Sequence, residues 1–165
     1  MNLKNWVRDI ADFPIPGILF RDISPLLQNP QALEFAAAQM VAQTDLRQID
    51  FFVGIESRGF ILAAYMAAKY SKGFIPLRKA GKLPPPLISQ TYTLEYGTAT
   101  LEINPGQGRV FIVDDVLATG GTLKTAIDLC TQAGFQVKQV AVLINLIKLN
   151  QLKFDNQAIH SALQY

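Results

Sequence analysis

Apolar residues fall into two rhythms along this chain. Continuous runs rich in β-branched and aromatic residues alternate with stretches whose apolar positions recur at helical spacing. Ile49–Ile55 (IDFFVGI), Phe74–Leu77, Val110–Val113 and Val137–Ile147 are of the first kind and predict buried strands, the last closing the series. Helical spacing is clearest after Asn29-Pro30, where Leu33, Ala36, Ala37, Met40 and Val41 share a face. Asn29 suits the N-cap and Pro30 the first helical position. Further helices are predicted over Gly59–Tyr70, closed near Gly73, and Leu123–Ala133, with Gly134 as its C′ residue. Residues 3–12 predict a short amphipathic helix with Trp6, Val7 and Ile10 on one side. Pro14–Gly17 is irregular, and Ile18–Ile23 partly extended. A Pro- and Lys-rich loop runs from Lys79 to about Gln90. Tyr92–Glu95 and Thr98–Ile103 then predict a hairpin around Tyr96-Gly97, and Asn104–Gly108 a turn.

From Ile49 onward the order is strand, helix, strand, hairpin, strand, helix, strand. It predicts an α/β domain with a largely parallel central sheet flanked by helices and right-handed crossovers. Ligands of such sheets sit outside the carboxyl ends of the strands. Here those ends include Gly54–Gly59 (GIESRG) and the Asp114-Asp115 pair that closes the Val110–Val113 run.

Composition narrows the class. At 165 residues, 1–165 is expected to be a single domain. Half of the residues are hydrophobic and 17% charged, which favours a globular chain with further burial in an oligomer. The net charge of +2 is too slight to argue for nucleic acid. The longest apolar run, Gly59–Ala68, is too short to span a bilayer, and Asp9 and Asp12 interrupt any signal peptide. A cytoplasmic location is the expectation. Cys130 is the sole cysteine, expected on the buried face of a helix, so no internal disulfide can form. His160 is the sole histidine, which argues against a histidine triad or zinc site. Neither GxxxxGK[ST] nor GxGxxG occurs, and there is no internal repeat.

The stretch Val113–Thr122 (VDDVLATGGT) carries the strongest chemistry. A small-residue turn opening a helix presents unpaired N–H groups and the positive end of the helix dipole, which suits a phosphate. Gly120 and Gly121 admit close approach, and Thr119 and Thr122 add hydroxyl donors. Asp114 and Asp115 would repel the same phosphate, so they suit a sugar diol or a bound cation. Phosphate and diol together describe a ribose phosphate. A plain strand–turn–helix with a polar rim would share Asp-Asp and Gly-Gly, but the ten-residue string is more specific. Arg58, in Glu56-Ser57-Arg58-Gly59, can bind a second anion by forked hydrogen bonds, or lie in an exposed loop. Arg78, Lys79 and Lys82 place three cations within five residues. Alone they read as a solvated loop, but beside a diphosphate they read as its seat.

The VDDVLATGGT string resembles the phosphoribosyl-diphosphate motif of the type I phosphoribosyltransferase family. FPIPGILFRDISP (Phe13–Pro25), GIESRGF (Gly54–Phe60), LRKAGKLP (Leu77–Pro84), YTLEYG (Tyr92–Gly97) and Leu163-Gln164-Tyr165 extend the likeness over nearly the whole chain. FRDISP and LEYG point to the branch that acts on adenine. The resemblance implies the type I fold with a flexible hairpin loop over the site and a small N-terminal hood. It implies a purine-salvage transfer with Mg²⁺, in which adenine and 5-phosphoribosyl 1-diphosphate give AMP and pyrophosphate, in a homodimer. By that resemblance Ala118, Thr119, Gly120, Gly121 and Thr122 hold the 5′-phosphate, and Asp114 and Asp115 the ribose hydroxyls. Glu56, Ser57, Arg58, Arg78, Lys79 and Lys82 serve the diphosphate, with Mg²⁺ carried by that group rather than by named protein ligands. Backbone groups of Leu19 and Arg21 read the adenine edge. Glu95 handles the proton of the base on a loop that closes to exclude water. The link from Ile103 to Pro105 is short for the family. Transfer to hypoxanthine or xanthine, and a regulator that senses the sugar diphosphate without catalysis, are the competing readings. FRDISP and LEYG speak against the first. The near-balanced charge and the presence of Glu95 speak against the second.

Overall fold

The computed structural model describes residues 1–94 and 97–165. Within them the chain opens on a 3₁₀ turn, Leu3–Trp6, and strand β1, Arg8–Ile10, which pairs antiparallel with β2, Phe20–Asp22. The amphipathic helix expected over residues 3–12 is therefore absent. Its spacing is helical, but pairing with β2 satisfies the backbone instead. Helix α1, Ser24–Gln28, and helix α2, Pro30–Val41, follow. Asn29 caps α2 as expected, its Oδ1 accepting the Ala32 N–H at 2.8 Å. A second 3₁₀ turn, Leu46–Gln48, leads into β3, Phe51–Ile55, then α3, Arg58–Lys69, and β4, Gly73–Lys79. Strands β5, Ile88–Leu94, and β6, Gly97–Ile103, form the hairpin. The core motif follows as β7, Gly108–Leu117, and α4, Gly121–Gln132, with Gly134 at φ 101° closing the helix. Strand β8, Phe135–Asn145, is not the last. A small hairpin of β9, Lys153–Phe154, and β10, Gln157–Ala158, precedes β11, His160–Gln164.

The described residues build a seven-stranded sheet in the order β11-β8-β7-β3-β4-β6-β5. The run from β11 to β4 is parallel, and the β5–β6 hairpin is antiparallel at one edge. The α/β expectation holds, with one strand more than the apolar runs reveal. β11 is short and lies at an edge, so His160 and Ser161 need no apolar neighbours.

Strand alternation divides the core between two faces. Phe52, Phe111, Val113, Ala141 and Leu143 pack with Ala36, Ala37 and Met40 of α2 and Leu62, Ala63 and Met66 of α3. Val53, Ile55, Val110, Ile112, Val140 and Val142 pack with Leu123, Ala126, Leu129 and Cys130 of α4. Cys130 is thus buried as expected, and loss of hydration pushes its thiol up to about 12. Among the described residues no helix is long and apolar enough to cross a membrane. Asn104 fastens the short link between β6 and β7, donating to the carbonyls of Pro84 and Pro86 at 2.8 Å each.

Candidate active site

Strand β7 carries the acids further than the sequence pattern indicates. Its pairing with β8 continues from Asp114↔Val142 through Val116↔Ile144 to Leu117↔Asn145. The acids therefore lie within the strand, three residues before the turn, rather than at its end. Glycine makes this packing possible. A Cβ on Gly59 would lie 2.9 Å from Asp114 Oδ1 and 3.0 Å from the Val113 carbonyl, so α3 reaches β7 only because residue 59 has none.

The two acids differ. Arg58 Nε lies 2.6 Å from Asp115 Oδ2, and the Asp115 N–H donates to Asp114 Oδ1 at 2.9 Å. Burial, and then the charge of Asp115, push the Asp114 carboxyl well above the ordinary carboxylate range.

Beyond the strand, Ala118–Gly120 turns sharply, with Gly120 at φ 97° immediately before α4. That conformation suits glycine. Asp114 and the residues from Val116 to Leu123 line a concavity of about 100 Å³ here. The first N–H groups of α4 have no intrahelical acceptors. Tyr92 of β5 reaches across to the same turn, its hydroxyl 3.1 Å from Thr122 Oγ1.

A larger cavity of about 560 Å³ adjoins it. Its walls include Leu19, Phe20 and Arg21 from the N-terminal hood, Arg58, and Leu146 and Tyr165 from the far side. Val116 and Ala118 line both, so the small concavity and the larger chamber are neighbours on the same stretch of chain. Leu19 is exposed, at the end of a loop closed by the Phe13 N–H donating to the Ile18 carbonyl and the Gly17 N–H to Asp12. The Arg21 side chain pairs with Asp9 and lies 3.9 Å from the centre of the Tyr165 ring, so only its backbone is presented. Its carbonyl accepts from Arg58 Nη1 at 3.2 Å, and the Arg58 guanidinium sits over the Phe20 ring at 4.7 Å. Arg58 therefore stands between the chamber and the acids.

The remaining cations gather around Glu56. Arg78 Nη2 and Lys82 Nζ donate to Glu56 Oε1 at 3.1 and 2.8 Å, and the Lys79 N–H donates to Oε2 at 2.8 Å. Burial acts to raise the Glu56 carboxyl, but hydrogen bonds from Lys82, Arg78 and the Lys79 N–H together lower it to about 2. Glu56 is thus an ionised counter-ion that organises the basic loop. Ser57 lies beside it and precedes α3; the Glu56–Ser57 peptide is cis. Glu95, expected on the hairpin tip, lies outside the described residues.

Comparisons with known proteins give the family. Residues 22–158 match the family model of the phosphoribosyl transferase domain. An adenine phosphoribosyltransferase of Bdellovibrio bacteriovorus is 59% identical over 165 residues, covering all of both chains. The chain belongs to the adenine phosphoribosyltransferase family. Solved members share its shape. The enzyme of Rhodothermus marinus superposes with a TM-score of 0.88 at 42% identity, over 99% of this chain and 96% of that one. The Giardia lamblia enzyme, solved with 9-deazaadenine, gives 0.87 at 35% identity with the same coverage. The family's reaction is a purine-salvage transfer that makes AMP from adenine and 5-phosphoribosyl 1-diphosphate.

Sequence reasoning missed several residues of this site. Tyr92 opens the YTLEYG stretch, but nothing in that stretch signals its contact with Thr122. Val116, Leu146 and Tyr165 are ordinary apolar or aromatic residues until the fold brings them together.

Proposed function

We propose that this chain, as a single domain over 1–165, transfers the phosphoribosyl group to N9 of adenine at these two neighbouring cavities. Their adjacency at Val116 and Ala118 carries the reading: a planar base fits the apolar chamber while the 5′-phosphate of the nucleotide occupies the turn. Ala118–Thr122 hold the 5′-phosphate, and Asp114 and Asp115 accept from the ribose hydroxyls. Leu19 and Arg21 offer backbone groups to the base edge. Glu56 and Ser57 frame the diphosphate seat, Glu56 keeping Arg78 and Lys82 poised beside Lys79. Arg58 serves the diphosphate from the acid side. Bond breaking builds positive charge on the ribose and negative charge on the diphosphate, and the acids and cations are placed to match that polarity. Glu95 exchanges the proton of the base.

Among the described residues no three acidic, histidine or cysteine side chains converge as a metal cage. The Asp114-Asp115 pair fits Mg²⁺, which keeps several waters and binds through substrate phosphates with one or two carboxylates. When bound, Mg²⁺ neutralises charge on the leaving diphosphate; Asp114 and Asp115 are the nearest carboxylates of the turn available to it. The exposed apolar side chains of Ile61 and Phe74 on the α3–β4 face support a homodimer. The phosphorylated donor supports a cytoplasmic location, since such a charged molecule does not cross a bilayer unaided.

The test is direct. Adenine, 5-phosphoribosyl 1-diphosphate and Mg²⁺ are mixed with the protein and AMP is followed by chromatography, with hypoxanthine in parallel. A site built around substrate hydrogen bonds can reject an analogue by roughly 10⁴-fold. Comparable kcat/KM for the two bases would overturn the assignment.

A further inference from the structure

The phosphate turn is held from behind by a residue that itself lines neither cavity. Asn150 lies in the loop between β8 and β9, and its Nδ2 donates to the Ala118 carbonyl at 2.9 Å. The same amide group faces Asn145 Oδ1 and the Leu146 carbonyl, each at 3.1 Å. Asn145 is buried at the end of β8, and the Leu146 N–H donates to the Leu117 carbonyl at 2.9 Å. Asn150 thus ties the end of β8 to the first residue of the turn. Its Oδ1 accepts from the Leu152 N–H at 3.3 Å. Leu152 lies under the next part of the turn, where a Cβ on Gly120 would come within 3.5 Å of its side chain.

These contacts have a directional consequence. In a trans peptide the carbonyl of one residue and the N–H of the next point in opposite directions. Holding the Ala118 carbonyl toward Asn150 therefore aims the Thr119 N–H away from Asn150, on the side where Thr119 lines the smaller cavity. We infer that Asn150 is a positioning residue that orients the Ala118–Thr119 peptide toward the 5′-phosphate. It acts through the backbone of the turn and never touches the ligand. This inference rests on the reading of Ala118–Thr122 as the phosphate seat.

The test compares AMP with adenosine, which differs only in lacking the phosphate. Dissociation constants for both are measured by calorimetry on the wild type, Asn150→Leu and Asn150→Gln. KM values for adenine and for 5-phosphoribosyl 1-diphosphate are measured alongside. Asn150→Leu keeps the volume but removes the donor. Its preference for AMP over adenosine should fall about tenfold, the weight of one hydrogen bond to a charged group. Adenosine affinity and KM for adenine should hold, while KM for the sugar diphosphate rises. Asn150→Gln retains an amide and should lie between the two. If the wild type prefers AMP and Asn150→Leu keeps that preference in full, the positioning role is wrong and the phosphate seat stands. Equal loss of AMP and adenosine binding, or a variant that does not fold, would make Asn150 a general structural residue and overturn the inference. Wild-type protein that binds AMP and adenosine equally would instead overturn the phosphate seat itself.

Discussion

At the scale of single residues, like charges are kept apart by giving each a local partner. Asp115 takes Arg58, Glu56 takes Arg78 and Lys82, and Asp114 is left beside Asp115 with its carboxyl raised. This separation supports the proposed division, with Asp114 and Asp115 toward the sugar and Arg78, Lys79 and Lys82 toward the leaving group, which is what preorganised electrostatic catalysis requires. Glu95 enters through family resemblance alone, and its role is testable without a view of its side chain. Glu95→Gln keeps size and most hydrogen-bonding capacity but cannot accept the proton. Acid–base catalysis contributes about 10²–10⁴-fold, so kcat should fall within that range while KM for adenine changes little. AMP should still bind at equilibrium. Wild-type turnover under conditions where chemistry limits the rate would reduce the residue to part of the lid.

At the scale of elements, the site depends on two close approaches. One is α3 onto β7 at Gly59. Gly59→Ala places a methyl 2.9 Å from Asp114 Oδ1 and 3.0 Å from the Val113 carbonyl of the same strand, so α3 has to move. Overpacking of this kind costs about 1–3 kcal/mol, and Arg58, the first residue of α3, moves with it. The expected outcome is a lower melting temperature with a disproportionate loss of kcat/KM. An unchanged melting temperature and full activity would show that the contact is slack. The second approach is β5 onto α4, through Tyr92 and Thr122 and through Gln132 Nε2 donating to Gln90 Oε1 at 2.9 Å. Tyr92→Phe removes one neutral hydrogen bond, worth about 0.5–1.5 kcal/mol, so KM for the sugar diphosphate should rise about two- to tenfold. Steady-state kinetics at saturating adenine would detect it, and no change would mean that the hairpin does not steady the turn.

The elements that position these groups were legible in the sequence to different degrees. β3 and the start of β7 were plain because both of their faces are buried, which gives continuous apolar runs. Asn29 and Gly134 marked helix ends because capping chemistry is local. The continuation of β7 through Leu117 was hidden, since two acids break the apolar run while the backbone stays paired with β8. β5 begins at Ile88, inside the stretch expected as loop, because an edge strand tolerates Ser89, Gln90 and Thr91. α1 is too short for its period to show. The VDDVLATGGT string exposed the turn, whereas Asn150, 32 residues from Ala118, has no signal that a sequence pattern could carry.

At the scale of the molecule, Asp22 holds the hood's own elements together and Glu56 holds the basic loop beside the end of β3, and this sets the response to acid. Asp22, in β2 of the hood, is buried. Its carboxylate accepts from the Ser24 hydroxyl at 2.6 Å, the Ser24 N–H at 2.9 Å and Arg8 Nη2 at 2.7 Å. Those bonds, the Ser24 hydroxyl first, lower its pKa from 3.8 to about 2. Glu56 is lowered from 4.5 to about 2 around its cations, against the effect of burial. Both groups bind a proton more readily in the unfolded chain. Their stabilisation is therefore complete above about pH 5 and is withdrawn as pH falls through the interval from 4.5 to about 2. Urea unfolding at a series of pH values should show stability falling steadily across that interval. Asp22→Asn and Glu56→Gln should each be less stable than the wild type at pH 7, with a shallower fall on acidification, and should approach it below pH 2, where the wild-type carboxyls become protonated too. Because Asp22 anchors the hood, its variant should also weaken adenine binding, whereas Glu56→Gln should act on the sugar diphosphate. Variants that keep the full wild-type slope would show that other carboxylates govern acid unfolding.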